Sequence, residues 1–340
     1  MKRKMSPPHD HALDPSRHRD DDENPSNSGA GSSGGSGDGN EAANLVAQHY
    51  NSRRQLGVRD RLHTKITGLR IFNNWTKSVL ISRHAFRGCR VLDLGCGKGG
   101  DLRKWAHAQI GEFVGMDIAS VSVEQAGERY NEMRRICKFP ARFYAQDCYG
   151  EPLEKTMHPP DYQADLISAQ FCLHYAFESE TKARQMMSNV ATHLAPGGAF
   201  ICTIPNSNWL IKKARSVGSR SFGNSVYSVE FAKYPGTTTA SDSGLSRFGC
   251  AYSFTLDEAV DDCMEYLVHM PSFIRLAGEH GLELLYCRPF HDMYVESMAD
   301  PVCNDLFWKM RVVDESRPEI TQDEWEAIGI YMAVAFTKQL

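Results

Sequence analysis

The sequence has no surplus of charge: 38 Lys and Arg stand against 42 Asp and Glu in 340 residues, a formal net charge of −4. That balance excludes a polybasic protein that coats nucleic acid through bulk charge, while leaving room for a local basic groove. No Cys-x-x-Cys pair occurs among the ten cysteines, so a zinc ribbon or a thioredoxin-like site has no support. A disulfide framework goes with a small secreted domain, and this chain is neither small nor headed by an apolar signal core. The cysteines are therefore expected to be reduced thiols packed in the core. No stretch approaches the ~20 apolar residues of a membrane helix, and a soluble protein in a reducing compartment is expected. What is present is a hydrophobic fraction of 41%, enough for a sizeable core in two domains or in one large α/β domain with insertions.

Residues 1–40 stand apart from the rest. Lys2-Arg3-Lys4 precedes Pro7-Pro8, an acidic run at 20–23 and a stretch of Gly, Ser, Asn and Asp at 26–40. Such a segment cannot bury enough apolar surface to offset its backbone entropy, and a disordered tail is expected. The three basic residues are a weak match to an import signal and read more simply as a solvated tail. The composition becomes globular from about Glu41. Ile66, Leu69, Phe72, Trp75, Val79 and Leu80 recur at helical spacing. Strands are expected at 90–94, 112–117, 141–146, 164–169 and 199–204, with helices between them, including 121–137 and 181–193. That alternation predicts a mostly parallel sheet covered on both faces. Residues 206–250, rich in Ser, Gly, Asn and Thr, are expected to form an irregular insert in the 41–340 domain. A helix at 273–280 and strands at 282–287 and 328–336 follow.

The first strand runs into Gly95-Cys96-Gly97-Lys98-Gly99-Gly100-Asp101. A phosphate-binding P-loop is excluded, because Lys98 is followed by Gly and the spacing is wrong. A nicotinamide cofactor and S-adenosylmethionine remain, since both approach a glycine backbone at the carboxyl end of the first strand and use an acid such as Asp117 for the ribose. Three features favour S-adenosylmethionine. Asp93 sits inside the first strand where a dinucleotide fold carries an apolar residue. Asp147 follows the third strand, placed to accept from an adenine amino group. Leu194-Ala195-Pro196-Gly197-Gly198 is a turn common in methyltransferases. Together they resemble the class I methyltransferase pattern, a Rossmann-like α/β fold with a mostly parallel seven-stranded sheet and helices on both faces.

Further motifs narrow the resemblance. Val46-Ala47-Gln48-His49-Tyr50-Asn51, Phe72-Asn73-Asn74-Trp75-Thr76-Lys77-Ser78, the loop at 93–101, Ser168-Ala169-Gln170-Phe171-Cys172-Leu173-His174-Tyr175 and the closing Glu324-Trp325-Glu326-Ala327 resemble the mRNA cap guanine-N7 methyltransferase family over about 44–340. The resemblance implies methyl transfer from S-adenosylmethionine to guanine N7 of capped mRNA, in the nucleus, alongside other capping enzymes or the transcription machinery. It implies no metal and no membrane. By motif position, Asn73, Lys77, Gly95, Asp117, Asp147, Gln170 and Tyr175 are implied at the cofactor, with Lys98, Lys104 and Arg129 at the cap triphosphate and His174, Glu265 and Tyr331 around the guanine. Guanine N7 carries an in-plane lone pair and has no proton to lose, so no general base is expected. A small-molecule methyltransferase on the same fold and a non-catalytic cap-binding protein are the competing readings. Thr76 departs from the pattern where an apolar residue is expected. Residues 288–323 do not match it, so binding of a small activating subunit through that lobe has no support.

Overall fold

The computed structural model describes residues 64–236, 245–315 and 319–340. The expected tail at 1–40, the Lys2–Lys4 cluster and the motif at 46–51 lie outside the described residues. The chain enters on helix α1 (Thr67–His84), whose buried side is formed by Leu69, Phe72, Trp75, Thr76, Val79 and Leu80, the three-and-four spacing read from the sequence. Thr76 sits in that apolar face with its hydroxyl unpartnered, and nothing in the structure explains the hydroxyl.

Five strands with their connections follow. Strand β1 (Arg90–Leu94) leads to α2 (Leu102–His107), β2 (Glu112–Asp117) to α3 (Ser120–Glu132), and β3 (Ala141–Ala145) to β4 (Ala164–Gln170). A 3-10 turn over Leu173–Glu178 and helix α4 (Glu180–His193) then precede β5 (Leu194–Pro205). Strand β1 is buried from Val91 to Leu94. Val91 joins the core beneath α1, while Leu92 and Leu94 join the core on the opposite face. This period-two alternation between two covered faces is why the strand reads as a continuous apolar run. It also turns Asp93 toward the α1 side. The Leu-Ala-Pro-Gly-Gly segment is not a turn ahead of β5 but an irregularity within it: Ala164 pairs with Leu194 and Leu166 with Ala199, so extra residues loop out of the ladder.

The expected irregular insert is instead ordered where it is described. Helix α5 (Ser207–Val217) is capped by Asn206, whose side chain accepts from Trp209 N. Strands β6 (Ser221–Gly223), β7 (Tyr227–Phe231), β8 (Ala251–Leu256) and β9 (Val260–Tyr266) make a second, antiparallel sheet in that order. In β7 and β8 buried residues alternate with exposed or half-buried ones, the mark of a sheet with one covered face. Helix α6 (Met270–Glu279) and β10 (Leu282–Pro289) resume the main domain.

Between Arg288 and Asp323, where no family pattern was legible, lie α7 (Phe290–Ala299) and α8 (Pro301–Lys309). Asp300 caps α8 by accepting from Val302 N and Cys303 N at 2.8 and 3.0 Å, with Pro301 in the first turn. Trp75 Nε1 donates to Cys303 O at 3.2 Å, binding this helix to α1. Helix α9 (Gln322–Ile328) opens on a Thr321/Glu324 capping box, and Leu69 N also donates to Glu324 Oε1. The last strand, β11 (Tyr331–Lys338), starts later than expected because Ile328 closes α9.

The large sheet runs β10-β11-β5-β4-β1-β2-β3. Strands β1 to β5 are parallel, and β11 is antiparallel to both its neighbours. From β1 the chain builds outward one way through β2 and β3, then returns to build the other way through β4 and β5. The crevice in such a sheet opens at the carboxyl ends of the strands where the order reverses, here β1 and β4. All ten cysteines are free thiols, seven buried and Cys172, Cys250 and Cys287 half-buried. No helix among the described residues is long and apolar enough to cross a membrane.

Candidate active site

The glycine loop leaves β1 at the reversal point. Gly95 and Gly97 have φ of +69° and +52°, a region an L side chain occupies only under strain. A Cβ on Gly95 would stand 2.5 Å from Cys172 Sγ, so the loop is packed against the end of β4. A Cβ on Gly97 would meet nothing within 4 Å, so the loop's other side is open to a ligand. Gly95 N and Cys96 N donate to Met116 O, and Gly97 N donates to Asp117 Oδ2 at 2.8 Å while Ala119 N donates to Oδ1 at 2.9 Å. Burial pushes the Asp117 carboxyl up, against the two amide bonds that pull it down. Asp147, two residues beyond β3, accepts from Tyr149 N and Gly150 N at 2.9 and 3.0 Å. Gln170, at the end of β4, donates to Ser168 Oγ and accepts from Thr203 Oγ1, each at 3.2 Å. Acceptors from the ends of β2, β3 and β4 thus flank the open loop.

Helix α1 supplies the far wall. Asn73 and Lys77 are four residues apart and share a face. Asn73 Oδ1 is buried without a partner, whereas Lys77 Nζ lies 2.8 and 2.9 Å from the two oxygens of Asp101. Lys104 Nζ reaches the same carboxylate at 2.7 Å and Asn74 Oδ1 at 3.0 Å. Burial alone would raise the Asp101 carboxyl, but the two ammonium groups hold it well below the usual carboxylate range. Lys104, expected at the triphosphate, therefore belongs to the same charged cluster as Lys77.

Asp93 behaves oppositely. Burial, reinforced by the charge of Asp101, pushes its carboxyl up to about 7. A folded-state value raised above the unfolded ~3.9 means the folded protein keeps a proton that the unfolded chain releases. Stability should therefore fall as pH rises from about 4 to about 7 and be level above. Asp93→Asn removes the group and is expected to raise stability at pH 8 by on the order of 3 kcal/mol and to flatten that slope. Denaturant unfolding from pH 4.5 to 8.5 checks this, and parallel slopes for the two proteins would contradict it.

On the other side of the cleft, the 3-10 turn after β4 carries His174, 2% exposed, with its ring 4.4 Å from that of Tyr175. His174 Nε2 is 3.4 Å from Glu265 Oε1, within ion-pair distance, and neither ring nitrogen makes a hydrogen bond. Glu265 lies in β9, is 5% exposed, and accepts from Tyr252 Oη at 2.7 Å through Oε2. Burial, with the charge of Glu265 beside it, pushes the Tyr252 hydroxyl far up. The Tyr175 hydroxyl meets Cys263 Sγ at 3.4 Å. Phe171 joins the two halves: its ring lies 5.0 Å from that of Tyr331 and carries Lys77 Nζ 5.9 Å from its centroid. Its φ of +60° is strained for a non-glycine residue and is held by amide bonds to Thr203 O and Oγ1. Lys98 projects from the loop between Gly97 and Gly99. Arg129 sits half-buried in the last turn of α3, one turn past Ala126, whose Cα would lie 3.4 Å from a Cβ on Gly99.

With this geometry, the comparison with known proteins is decisive. Residues 36–339 match the mRNA (guanine-N(7))-methyltransferase domain. The chain belongs to that family. It is 40% identical to the mRNA cap guanine-N(7) methyltransferase of Schizosaccharomyces pombe over 330 residues, covering 95% of this chain and 90% of that protein. It is 44% identical to the enzyme of that name from Cryptococcus neoformans over 303 residues, covering 86% of this chain. It spans only about half of the Cryptococcus protein, 47% of its length. Among solved structures it resembles the CcbJ methyltransferase from Streptomyces caelestis, with a TM-score of 0.50 at 11% identity over 86% of this chain and 99% of that one, a likeness of fold.

The expected residues fall into two groups that Phe171 joins. Gly95, Asp117, Asp147 and Gln170 ring the loop, Asn73 and Lys77 face them from α1, and His174, Tyr175, Glu265 and Tyr331 form the second group. Lys98 lies in the loop, and Arg129 borders it from α3. The sequence reading missed Asp101, Phe171 and Tyr252. Asp101 was visible as the end of the glycine motif, and its role was hidden because Lys77 comes from another helix. Phe171 stood in the quoted motif and was given no role. Tyr252 had no signal of its own.

Proposed function

We propose that the protein transfers the methyl group of S-adenosylmethionine to N7 of the guanine that caps mRNA. The observation that carries this reading is a buried carboxylate, Glu265, beside the unpartnered ring of His174 and in the same cleft as the open glycine loop. The residues around the loop fit the cofactor. Gly97 leaves room for it, the orphaned Asn73 Oδ1 offers an acceptor for its amino group, and Asp117 and Asp147 keep carboxylate oxygens for ribose hydroxyls and the adenine amino group. When bound, S-adenosylmethionine supplies a methyl carbon activated by a positively charged sulfur.

The protein's own part is binding, orientation and exclusion of water. N7 has an in-plane lone pair and no proton, so no residue has to act as a base. The Glu265 carboxylate accepts from guanine N1–H and the N2 amino group, and Tyr331 packs against the base. Lys98 and Arg129 offer charge-assisted bonds to the triphosphate, with Lys104 bordering them. Holding N7 in line with the methyl carbon can contribute ~7–11 kcal/mol in well-positioned systems. The nucleus, where capped transcripts arise, is the proposed compartment, which imaging of the tagged chain would test.

Incubation with capped RNA, uncapped triphosphate RNA and a free cap dinucleotide tests the activity. Methyl transfer confined to the capped substrates, with the label mapped to N7 by mass spectrometry, is expected. Equal transfer to uncapped RNA, or a methyl group elsewhere, overturns the reading.

A further inference from the structure

Tyr252 and Glu265 stand directly opposite each other on β8 and β9. Side chains of such a cross-strand pair leave the sheet on the same face, here the one toward His174. Tyr252 is 1% exposed, and its ring packs 5.8 Å from that of Phe231 in β7. Its hydroxyl donates at 2.7 Å to Glu265 Oε2, whereas Oε1 is the oxygen 3.4 Å from His174 Nε2. A tyrosine fixed at its ring by the small sheet thus engages one carboxylate oxygen and turns the other toward the cleft.

We infer that Tyr252 is a positioning residue for base recognition: its hydroxyl anchors Glu265 in the one orientation that accepts from the Watson–Crick edge of guanine. The inference rests on the cap-methylation reading and adds to it a residue that does not touch the substrate. Burial and the adjacent carboxylate keep the Tyr252 hydroxyl protonated, so it acts only as a donor to Glu265. Without that bond Glu265 can swing about its terminal torsion. That swing removes the acceptor arrangement that distinguishes guanine from a base lacking the N2 amino group.

The test uses the full chain and Tyr252→Phe, which removes only the oxygen. Equilibrium binding and initial rates are measured with guanosine- and inosine-capped dinucleotides. The cap Kd and KM should rise roughly tenfold, the loss of one charge-assisted bond. KM for S-adenosylmethionine should be unchanged, and the preference for guanosine over inosine should fall by a similar factor. In a Glu265→Gln background, Tyr252→Phe should add less than twofold to the loss of cap binding. An undiminished guanosine preference, or a full additional loss in that background, overturns the positioning role while cap methylation stands. A Tyr252→Phe protein that has lost its fold assigns the hydroxyl to sheet structure and also overturns it. No cap binding or transfer by the parent chain overturns the functional reading and this inference together.

Discussion

Glu265→Gln is expected to lower kcat/KM for the capped substrate by about 10³-fold, ~4 kcal/mol of transition-state stabilisation. The substitution keeps the side chain's volume and leaves β9 intact. Tyr252 Oη donates at 2.7 Å to one oxygen of the carboxylate and would hold the oxygen of the amide in the same way. The amide NH2 would then point at the guanine's own donors, replacing an acceptor by a donor in a buried pocket. Such a mismatch carries the desolvation penalty of both groups as well as the lost bond. KM for S-adenosylmethionine and the melting temperature should change little, because the Glu265 carboxylate bonds to Tyr252 and lies beside His174 rather than holding the glycine loop. Initial-rate kinetics on a cap dinucleotide check this, and activity within a few-fold of the parent would refute the guanine-reading role.

Asp101→Ala should produce the largest loss of stability, about 3–5 kcal/mol. Asp101 is the shared carboxylate of Lys77 and Lys104, whose side chains are only 16% and 12% exposed. Removing it leaves two nearly buried ammonium groups facing each other, which is worse than losing an ion pair at the surface. A fall in melting temperature on the order of 10 °C is expected for a domain of this size. The pH dependence identifies the cause. A carboxyl held below its ordinary range stabilises the fold fully above the unfolded value of ~3.9 and loses that contribution as pH falls toward the depressed value. The gap between parent and variant should therefore narrow as pH falls below about 4. Thermal melts as a function of pH check it, and a gap that widens in acid would place the effect elsewhere.

How much was legible differs between the two sheets. The large sheet could be read because β1 is buried on both faces and ends in a glycine loop, two signals that coincide. Its neighbours repeat the pattern at regular intervals. The small sheet could not be read in the same way. Strands β6 and β7 lie in a stretch whose Ser and Gly content suggests irregular chain, although Tyr227, Val229 and Phe231 alternate with polar residues as a half-buried strand should. The cap at Asn206 was also present and was outweighed by composition. Helices α7 and α8 were missed because no motif covered them, although Asp300-Pro301 is a sound helix start.

The individual site residues divide along the same line. Gly95, Asp117 and Asp147 were identified from chain position alone, since each follows directly on a strand of the main sheet. Glu265 was reached only through family resemblance, and Tyr252 not at all, because a tyrosine in an apolar, alternating strand looks like core.

By itself the sequence determined the strands and helices of the main sheet from β1 to β5, the glycine loop at the carboxyl end of β1 and the acids at the ends of β2 and β3. These are local consequences of burial period and turn chemistry. Only the tertiary structure decided which distant groups share the cleft. Asp101 neutralises Lys77 from another helix, Phe171 bridges Lys77 and Tyr331, and the register of β8 on β9 sets Tyr252 opposite Glu265. The physical reason is that these pairings depend on packing angle and strand register, and a one-residue slip would turn Tyr252 to the other face without altering the composition of either strand.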